Sequence, residues 1–199
     1  MKSLRYLIEY MFVRIFYIIF RILGFHISSF VAGKIFKIYG FFSKRTSAAI
    51  YNIGDVIKGI NTKERKKIII KMWENFGRVI GEYPNLDKVR VIDNESIKII
   101  NLRNLLDPLK KNKNCLFFSA HLGNWELTSH ALTENGFNIN FIYRAPNNKY
   151  VDILLRRIRL SYGVGLIKKG PEGAREWIKV LAKVGGNIGK LIEQKMNDG

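Results

Sequence analysis

One histidine and one glutamate stand close together in the stretch FFSAHLGNWEL, residues 117–127. His121 and Glu126 are five positions apart, a turn of about 500° on an α-helix, so they cannot share one helical face. They can meet across a bend if a strand ends near His121, Gly123 allows the turn, and Asn124 or Gly123 caps a new helix. Glu126 then lies in the first helical turn, where a carboxylate is favoured as the anion. The spacing predicts a histidine general base that Glu126 orients.

The same residues also allow simpler roles. Glu126 can serve only as a favourable residue at a helix start, and His121 only as a turn residue. His130 lies four positions after Glu126 and is a rival partner for it, although a histidine in the middle of a helix more commonly packs or faces solvent. We read Cys115, at the start of the strand, as a core residue.

Strands and helices alternate around this segment, which predicts βαβ crossovers and a parallel sheet. The periodicity predicts strands at residues 115–120, 139–143, 164–167 and 187–192, the first of them buried, and helices at 125–134, at 151–162 and from Pro171 onward. Ligands of such sheets bind beyond the carboxyl ends of the strands. His121 occupies that position. The predicted fold class is therefore α/β, with a mixed, largely parallel sheet flanked by helices.

The chain before this sheet is predicted to be mainly helical. Asn61 and Glu64 have the spacing of a capping box, and a helix should follow. Its buried stripe is predicted to be Ile69, Met72, Trp73, Phe76 and Ile80. A short strand is predicted at residues 89–92 and a helix at 96–111.

The length and charge of the chain limit its class. A chain of 199 residues can form one domain, or one domain with a membrane-attaching segment. Its 34 basic and 16 acidic residues give a net charge of +18, which predicts an anionic partner such as nucleic acid, anionic lipid, a phosphorylated substrate or an acidic carrier protein. With one cysteine no internal disulfide can form, and none of the three histidines has metal-ligand spacing, so we expect no metal site.

The N-terminal segment, residues 4–27, is rich in large apolar residues but is interrupted by Glu9, Arg14 and Arg21. Charges at this spacing favour a helix that lies in the membrane interface, while a tilted single span and a core helix remain alternatives. We predict a membrane-associated helical segment at residues 1–45 and an α/β domain at residues 46–199. Basic residues on both flanks suit an anionic cytoplasmic leaflet.

Several stretches resemble the lipid A biosynthesis acyltransferases, the lauroyl and myristoyl transferases that add secondary acyl chains to the lipopolysaccharide precursor. In chain order they are WENFGRVIGEY, FFSAHLGNWEL, IYRAPNN, LLRRIRLSYG, GAREWIKVLAKVGG and EQKMNDG. HLGNWE is the specific match, because it has the H-x4-D/E form that this group shares with glycerolipid acyltransferases. The resemblance implies a glycerolipid-acyltransferase-like fold at the cytoplasmic face of the bacterial inner membrane, held there peripherally or by one span.

The resemblance also implies the substrates and the role of each site residue. The donor would be an acyl carrier protein thioester and the acceptor a hydroxyl of a phosphorylated, Kdo-bearing lipid A precursor, with no cofactor. His121 would take the proton of that hydroxyl and Glu126 would orient the imidazole. Arg144, which follows the strand at 139–143, Arg159, which borders the apolar stripe of the next helix, and Asn124 are the candidate substrate-binding residues.

Members of that family continue beyond the point that corresponds to Gly199, so we expect a C-terminally truncated chain with an incomplete sheet. A catalytically inactive membrane-surface protein that binds anionic lipid and another type of glycerolipid acyltransferase therefore stay open as alternatives. A nucleic-acid binder would explain the charge, but the aromatic residues cluster near the N-terminus without a recognisable binding module. We predict anionic inner-membrane lipids, and not nucleic acid, as a further partner.

Overall fold

The computed structural model describes residues 2–92 and 94–192. In chain order these residues form α1 (Lys2–Phe42), α2 (Lys44–Val56), α3 (Thr62–Glu82), α4 (Leu102–Lys110), β1 (Leu116–Ser119), α5 (His130–Thr133), β2 (Ile139–Tyr143), α6 (Lys149–Ser161), β3 (Val164–Lys168), α7 (Pro171–Leu181) and β4 (Ile188–Leu191). Two 3₁₀ helices, Tyr83–Lys88 and Trp125–Ser129, precede α4 and α5. The chain forms two compact units, Ile15–Asn85 in one, and Met1–Arg14 with Leu86–Gly199 in the other.

The sheet belongs to the second of these units, and among the described residues it has the strand order β1-β4-β2-β3 with every pair parallel. Leu116 pairs with Ile188, Phe141 with Gly189, and Ile139 with Val164. The predicted α/β class with a parallel sheet is confirmed. The prediction that the first strand is buried is wrong, because β1 lies at an edge of this sheet and exposes Leu116 and Phe118.

Two segments that precede the sheet differ from the sequence prediction. Residues 89–92 form no strand, because the backbone N–H groups of Val91 and Ile92 donate to the carboxylate of Glu134 at 3.0 Å instead of pairing with the sheet. The helix predicted at 96–111 begins only at Leu102, because Asn101 adopts a left-handed conformation with φ of 57°. A long-range hydrogen bond in the first place and a local backbone conformation in the second outweigh the apolar pattern.

The start of α3 forms as predicted, but its buried face does not. Asn61 and Glu64 form the capping box, with reciprocal hydrogen bonds of 2.9 and 3.0 Å. Ile69 and Trp73 of the predicted stripe are buried, whereas Met72, Phe76 and Ile80 are more than one-third exposed. The buried face continues instead through Ile70, Gly77, Val79 and Gly81.

Small residues explain this rotation of the buried face, because they let α1 and α3 pack closely. A side chain at Gly77 would overlap the region of the Ala32 carbonyl oxygen, and one at Gly81 would overlap the Ser28 carbonyl. The Ser29 hydroxyl also donates to the buried Glu82 carboxylate at 2.6 Å. Such close backbone approach is typical of small-residue helix interfaces. Glycine and serine contacts therefore let the two helices approach closely, and ring contacts of Phe36 with Phe76 and of Tyr39 with Trp73 add to the packing.

An ion-pair cluster joins the same two helices at their surface. The ammonium groups of Lys34 and Lys37 lie 3.0 and 3.1 Å from the carboxylate of Glu74. Hydrogen bonds from these two lysines lower the pKa of Glu74 to about 2. Glu74 therefore stays ionised at acidic pH values at which an ordinary glutamate is protonated.

Helix α1 is long and apolar enough, by length and composition, to cross a membrane, and most of its large apolar residues are exposed. These features suggest association with a membrane. The helix is interrupted at Gly24, where φ is 74° and ψ is 174°. The Ser28 hydroxyl donates to the carbonyl oxygens of Gly24 and Phe25 at 2.6 and 3.1 Å across this break.

Replacing Gly81 by alanine tests the close packing of α1 on α3. The new methyl group would overlap the Ser28 backbone, so we expect the free energy of unfolding to fall by about 1–3 kcal/mol, although alanine favours a helix by about 1 kcal/mol. Gly33→Ala is the matched control with a milder overlap, because its methyl group would lie 2.9 Å from Cγ of Arg78 and 3.2 Å from the Glu74 carbonyl oxygen, so we expect a smaller loss. Denaturant unfolding in mild detergent measures both variants. Equal stability of Gly81→Ala and the wild type would contradict this packing.

Candidate active site

A turn at the carboxyl end of β1 connects the strand to the 3₁₀ helix at Trp125–Ser129. Gly123 has a φ of 54°, which glycine adopts without steric cost. The side chain of Asn124 accepts a hydrogen bond of 3.1 Å from the backbone N–H of Glu126 and caps the new helix. The predicted strand, turn, cap and first-turn glutamate are confirmed. The helix predicted at 125–134 is a 3₁₀ helix followed by the short α5.

His121 lies within this turn, two residues beyond the end of β1, and is exposed. Its imidazole packs edge-to-face against the ring of Trp125, with ring centroids 4.7 Å apart and planes inclined by 68°. Edge-to-face packing limits the directions in which an otherwise mobile side chain can point. The histidine is therefore accessible to a substrate and is supported by an aromatic neighbour.

Glu126, in contrast, is buried, with a side chain only 7% exposed. The guanidinium of Arg159 binds both of its oxygens: Nη2 lies 2.6 Å from Oε1, and Nε lies 3.0 Å from Oε2. A two-point guanidinium–carboxylate pair is strong and directional. It fixes the orientation of the carboxylate and compensates its burial.

Two aromatic residues complete the surroundings of this carboxylate. The Tyr162 hydroxyl donates to Oε2 at 2.9 Å, and the Trp125 indole N–H donates to Oε1 at 3.2 Å. Trp125 thus touches both the His121 ring and the Glu126 carboxylate. Tyr162 is in turn stacked on the ring of buried His130, whose Nε2 lies 3.0 Å from the Leu86 carbonyl oxygen. This contact gives His130 a packing role, in agreement with the sequence expectation.

The other predicted site residues occupy different positions. Arg159, predicted to point towards the site, reaches it, but its guanidinium is engaged by Glu126. Arg144 directly follows β2 and is exposed. Because β4 lies between β1 and β2, Arg144 and His121 follow strands that are not neighbours in the sheet. The side chain of Asn124 caps the 3₁₀ helix in this turn.

Sequence reasoning did not assign Trp125 or Tyr162 to the site. A weak signal for Tyr162 is present, because it lies three residues after Arg159 and so faces the same side of a helix. Trp125 stands next to Glu126 in the sequence. This position alone does not distinguish an indole that binds the carboxylate from an indole that packs in the core. Both residues become recognisable only when the Glu126 partners are known.

A second polar cluster lies at the carboxyl ends of β2 and β3. The Tyr143 hydroxyl donates to the buried Asp152 carboxylate at 2.9 Å, and the Lys168 ammonium lies 3.3 Å from the same carboxylate. Burial, together with the hydrogen bond to Asp152, raises the pKa of Tyr143 to about 12. Tyr143 is therefore a neutral hydrogen-bond donor at physiological pH, and the cluster attaches the first turn of α6 to the sheet.

Asn148 connects the start of α6 to the start of α1. Its side-chain oxygen accepts from the backbone N–H of Tyr150 at 3.1 Å, which caps α6. Its side-chain nitrogen donates to the Tyr6 carbonyl oxygen at 2.7 Å and to the Glu9 carboxylate at 3.1 Å. The rings of Tyr10 and Tyr150 also lie 5.8 Å apart. The first turns of α1 thus contact the helix that carries Arg159.

Asn148→Asp tests this connection. The carboxylate keeps the capping oxygen but loses the donor to Tyr6 and faces the Glu9 carboxylate, so we expect a loss of about 1–3 kcal/mol in the free energy of unfolding. Adding Glu9→Gln should recover much of this loss, because its amide can donate to the new carboxylate. Thermal unfolding of the single and double variants in detergent gives the comparison. No recovery in the double variant would show that the pair does not interact.

Arg159→Met tests the compensation of the buried carboxylate. Without the guanidinium, Glu126 is left as an uncompensated buried charge, and we expect a loss of about 3–5 kcal/mol in the free energy of unfolding. Glu126→Gln in the same chain removes that charge and should restore most of the stability. Denaturant unfolding of the wild type, both single variants and the double variant completes the cycle. An unchanged stability of Arg159→Met would contradict the role of the ion pair.

Comparison with known proteins is consistent with this geometry. No curated protein matches the chain. The family described as bacterial lipid A biosynthesis acyltransferase matches residues 1–199, which is the whole sequence. The resemblance seen in the sequence is therefore confirmed, and the chain belongs to the bacterial lipid A biosynthesis acyltransferase family.

Proposed function

We propose that the protein transfers a fatty acyl chain from an acyl carrier protein thioester to a hydroxyl of a lipid A precursor, with His121 as the general base. Family membership supports an acyltransferase of lipid A biosynthesis. The observation that carries the catalytic assignment is the arrangement at the end of β1, where an exposed imidazole and a buried carboxylate are both in contact with Trp125.

The proposed reaction needs no covalent acyl-enzyme. His121 takes the proton from the acceptor hydroxyl as its oxygen attacks the thioester carbonyl carbon. The resulting intermediate collapses, the carbon–sulfur bond breaks, and the imidazolium returns the proton to the departing thiolate. The products are an ester and the free thiol of the carrier. The negative charge of Glu126 favours the imidazolium that forms during the transfer.

Arg159 is reassigned in this proposal. Because its guanidinium binds both oxygens of Glu126, we assign it as a positioning residue and not as a direct substrate ligand. Arg144, exposed after β2, stays the candidate for binding a phosphate of the acceptor. Asn124 acts through the cap that places Glu126.

The proposed site of action is the cytoplasmic face of the bacterial inner membrane. Support comes from the exposed apolar surface of α1 and from the net charge of +18, which suits anionic lipid headgroups. The acceptor is itself a lipid, so an enzyme attached to the membrane would meet it in the plane of the bilayer.

His121→Ala tests the proposed base. We expect the rate of acyl transfer to fall by about a hundredfold to ten-thousandfold, because general base catalysis contributes a factor of that order. Leu122→Ala is the matched control, since Leu122 is the exposed neighbour in the same turn. Mass spectrometry of the lipid A precursor after incubation with acyl carrier protein thioester measures the transfer. Full activity of a folded His121→Ala protein would overturn the assignment.

A further inference from the structure

The outer face of α6 carries a stripe of residues with an unusual composition. It consists of Lys149, Ile153, Arg157 and Leu160, which fall within about 80° of one another around the helix. Arg156 borders the stripe but is half-buried and hydrogen-bonded to Tyr143. Ile153 and Leu160 are 48% and 58% exposed, although both are large apolar side chains. Leu154 and Ile158, on the opposite face, are buried. The stripe is therefore not needed for packing of the helix on its own unit.

The charge of this stripe has a single sign. Asp152 is the one acidic residue of α6, and it is buried against Tyr143 and Lys168. Lys149 lies over the ring of Tyr150, at 5.2 Å from its centroid. Among the described residues, 2–92 and 94–192, Arg157 forms no ion pair. Two exposed cations, Lys149 and Arg157, therefore flank two exposed apolar side chains without an exposed acid between them.

The stripe ends next to the candidate active site. Leu160 directly follows Arg159, whose guanidinium holds the Glu126 carboxylate. A molecule bound along the stripe would therefore contact the same turn of α6 as the arginine that holds the Glu126 carboxylate. A long flexible arm extending from that molecule could deliver a reactive group to His121.

We propose that this α6 stripe is the docking surface for the acidic acyl carrier protein that donates the acyl chain. This inference rests on the proposed function and adds the location of donor recognition. Apolar side chains surrounded by arginine and lysine are typical of a protein interface with an acidic partner. An anionic bilayer is the alternative occupant, and the test separates it from the carrier protein.

The test is a double charge reversal, Lys149→Glu with Arg157→Glu, assayed with two donors. One donor is the acyl carrier protein thioester, and the other is the same acyl chain on coenzyme A, which has the same pantetheine thioester without the protein. We expect the KM for the acyl carrier protein to rise about tenfold or more, while kcat and the coenzyme A reaction change little. Added salt should raise this KM for the wild type and have little effect on the variant.

Arg175→Glu with Lys179→Glu is the matched control, because it reverses two exposed cations on α7 and changes the net charge equally. Its KM for the acyl carrier protein should stay near that of the wild type. Three results would overturn the inference: an unchanged KM in the α6 variant, an equal loss with both donors, or a rise only in the KM for the lipid acceptor. Loss of flotation with anionic vesicles at an unchanged KM would also overturn it and assign the stripe to the bilayer.

If the wild type itself transfers no acyl chain from the carrier protein, both the proposed donor and the proposed docking surface are wrong. If the wild type uses the carrier protein and the α6 variant uses it equally well, only the docking surface is wrong. The two failures are therefore distinguished by the wild-type rate.

Discussion

A buried carboxylate must be compensated, and the way in which Glu126 meets this requirement determines the arrangement around it. Arg159 supplies the opposite charge, while Tyr162 and Trp125 supply further hydrogen bonds. Arg159 lies in α6, and Tyr162 is the first residue after this helix. Both contacts can form only if α6 packs on the sheet in one position and one rotation about its axis. Helix α6 forms the crossover connection between the parallel strands β2 and β3. The sheet sets the handedness and the length of this connection. The ion pair thus depends on the sheet, and the position of the helix depends on the ion pair.

The burial of Glu126 and the exposure of His121 within one turn both suit the proposed reaction. In the proposed reaction the imidazole must reach the hydroxyl of a lipid acceptor, so it has to lie at the surface. A carboxylate that interacts with an imidazolium is more effective where water does not screen it. The change from strand to 3₁₀ helix places one group outside and the other inside over only five residues. Trp125 lies between them and contacts both.

Those features of the fold that depend on neighbouring residues could be predicted from the sequence. The strands, the capping box at Asn61, the cap at Asn124 and the placement of Glu126 follow from periodicity and from polar side chains at fixed spacing. The segment 89–92 could not be predicted, because its N–H groups bind Glu134, which is more than 40 residues away. The buried face of α3 was also misread, since glycine carries no apolar signal and yet Gly77 and Gly81 form the contact. The pairing of Glu126 with Arg159 and Tyr162 was missed for the same reason of distance in sequence. Trp125 is adjacent to Glu126, but adjacency alone did not show that the indole binds the carboxylate.

The interruption of α1 at Gly24 has a consequence for the surroundings in which this helix can exist. A bend in a helix frees carbonyl oxygens that normally need water, and an oily environment offers none. Here the single proton of the fully buried Ser28 hydroxyl is shared between the oxygens of Gly24 and Phe25, and the Asn85 side-chain nitrogen donates to the Phe20 oxygen at 2.8 Å. Side chains therefore supply hydrogen bonds at the bend from within the protein, and these bonds need neither solvent nor a bilayer around them.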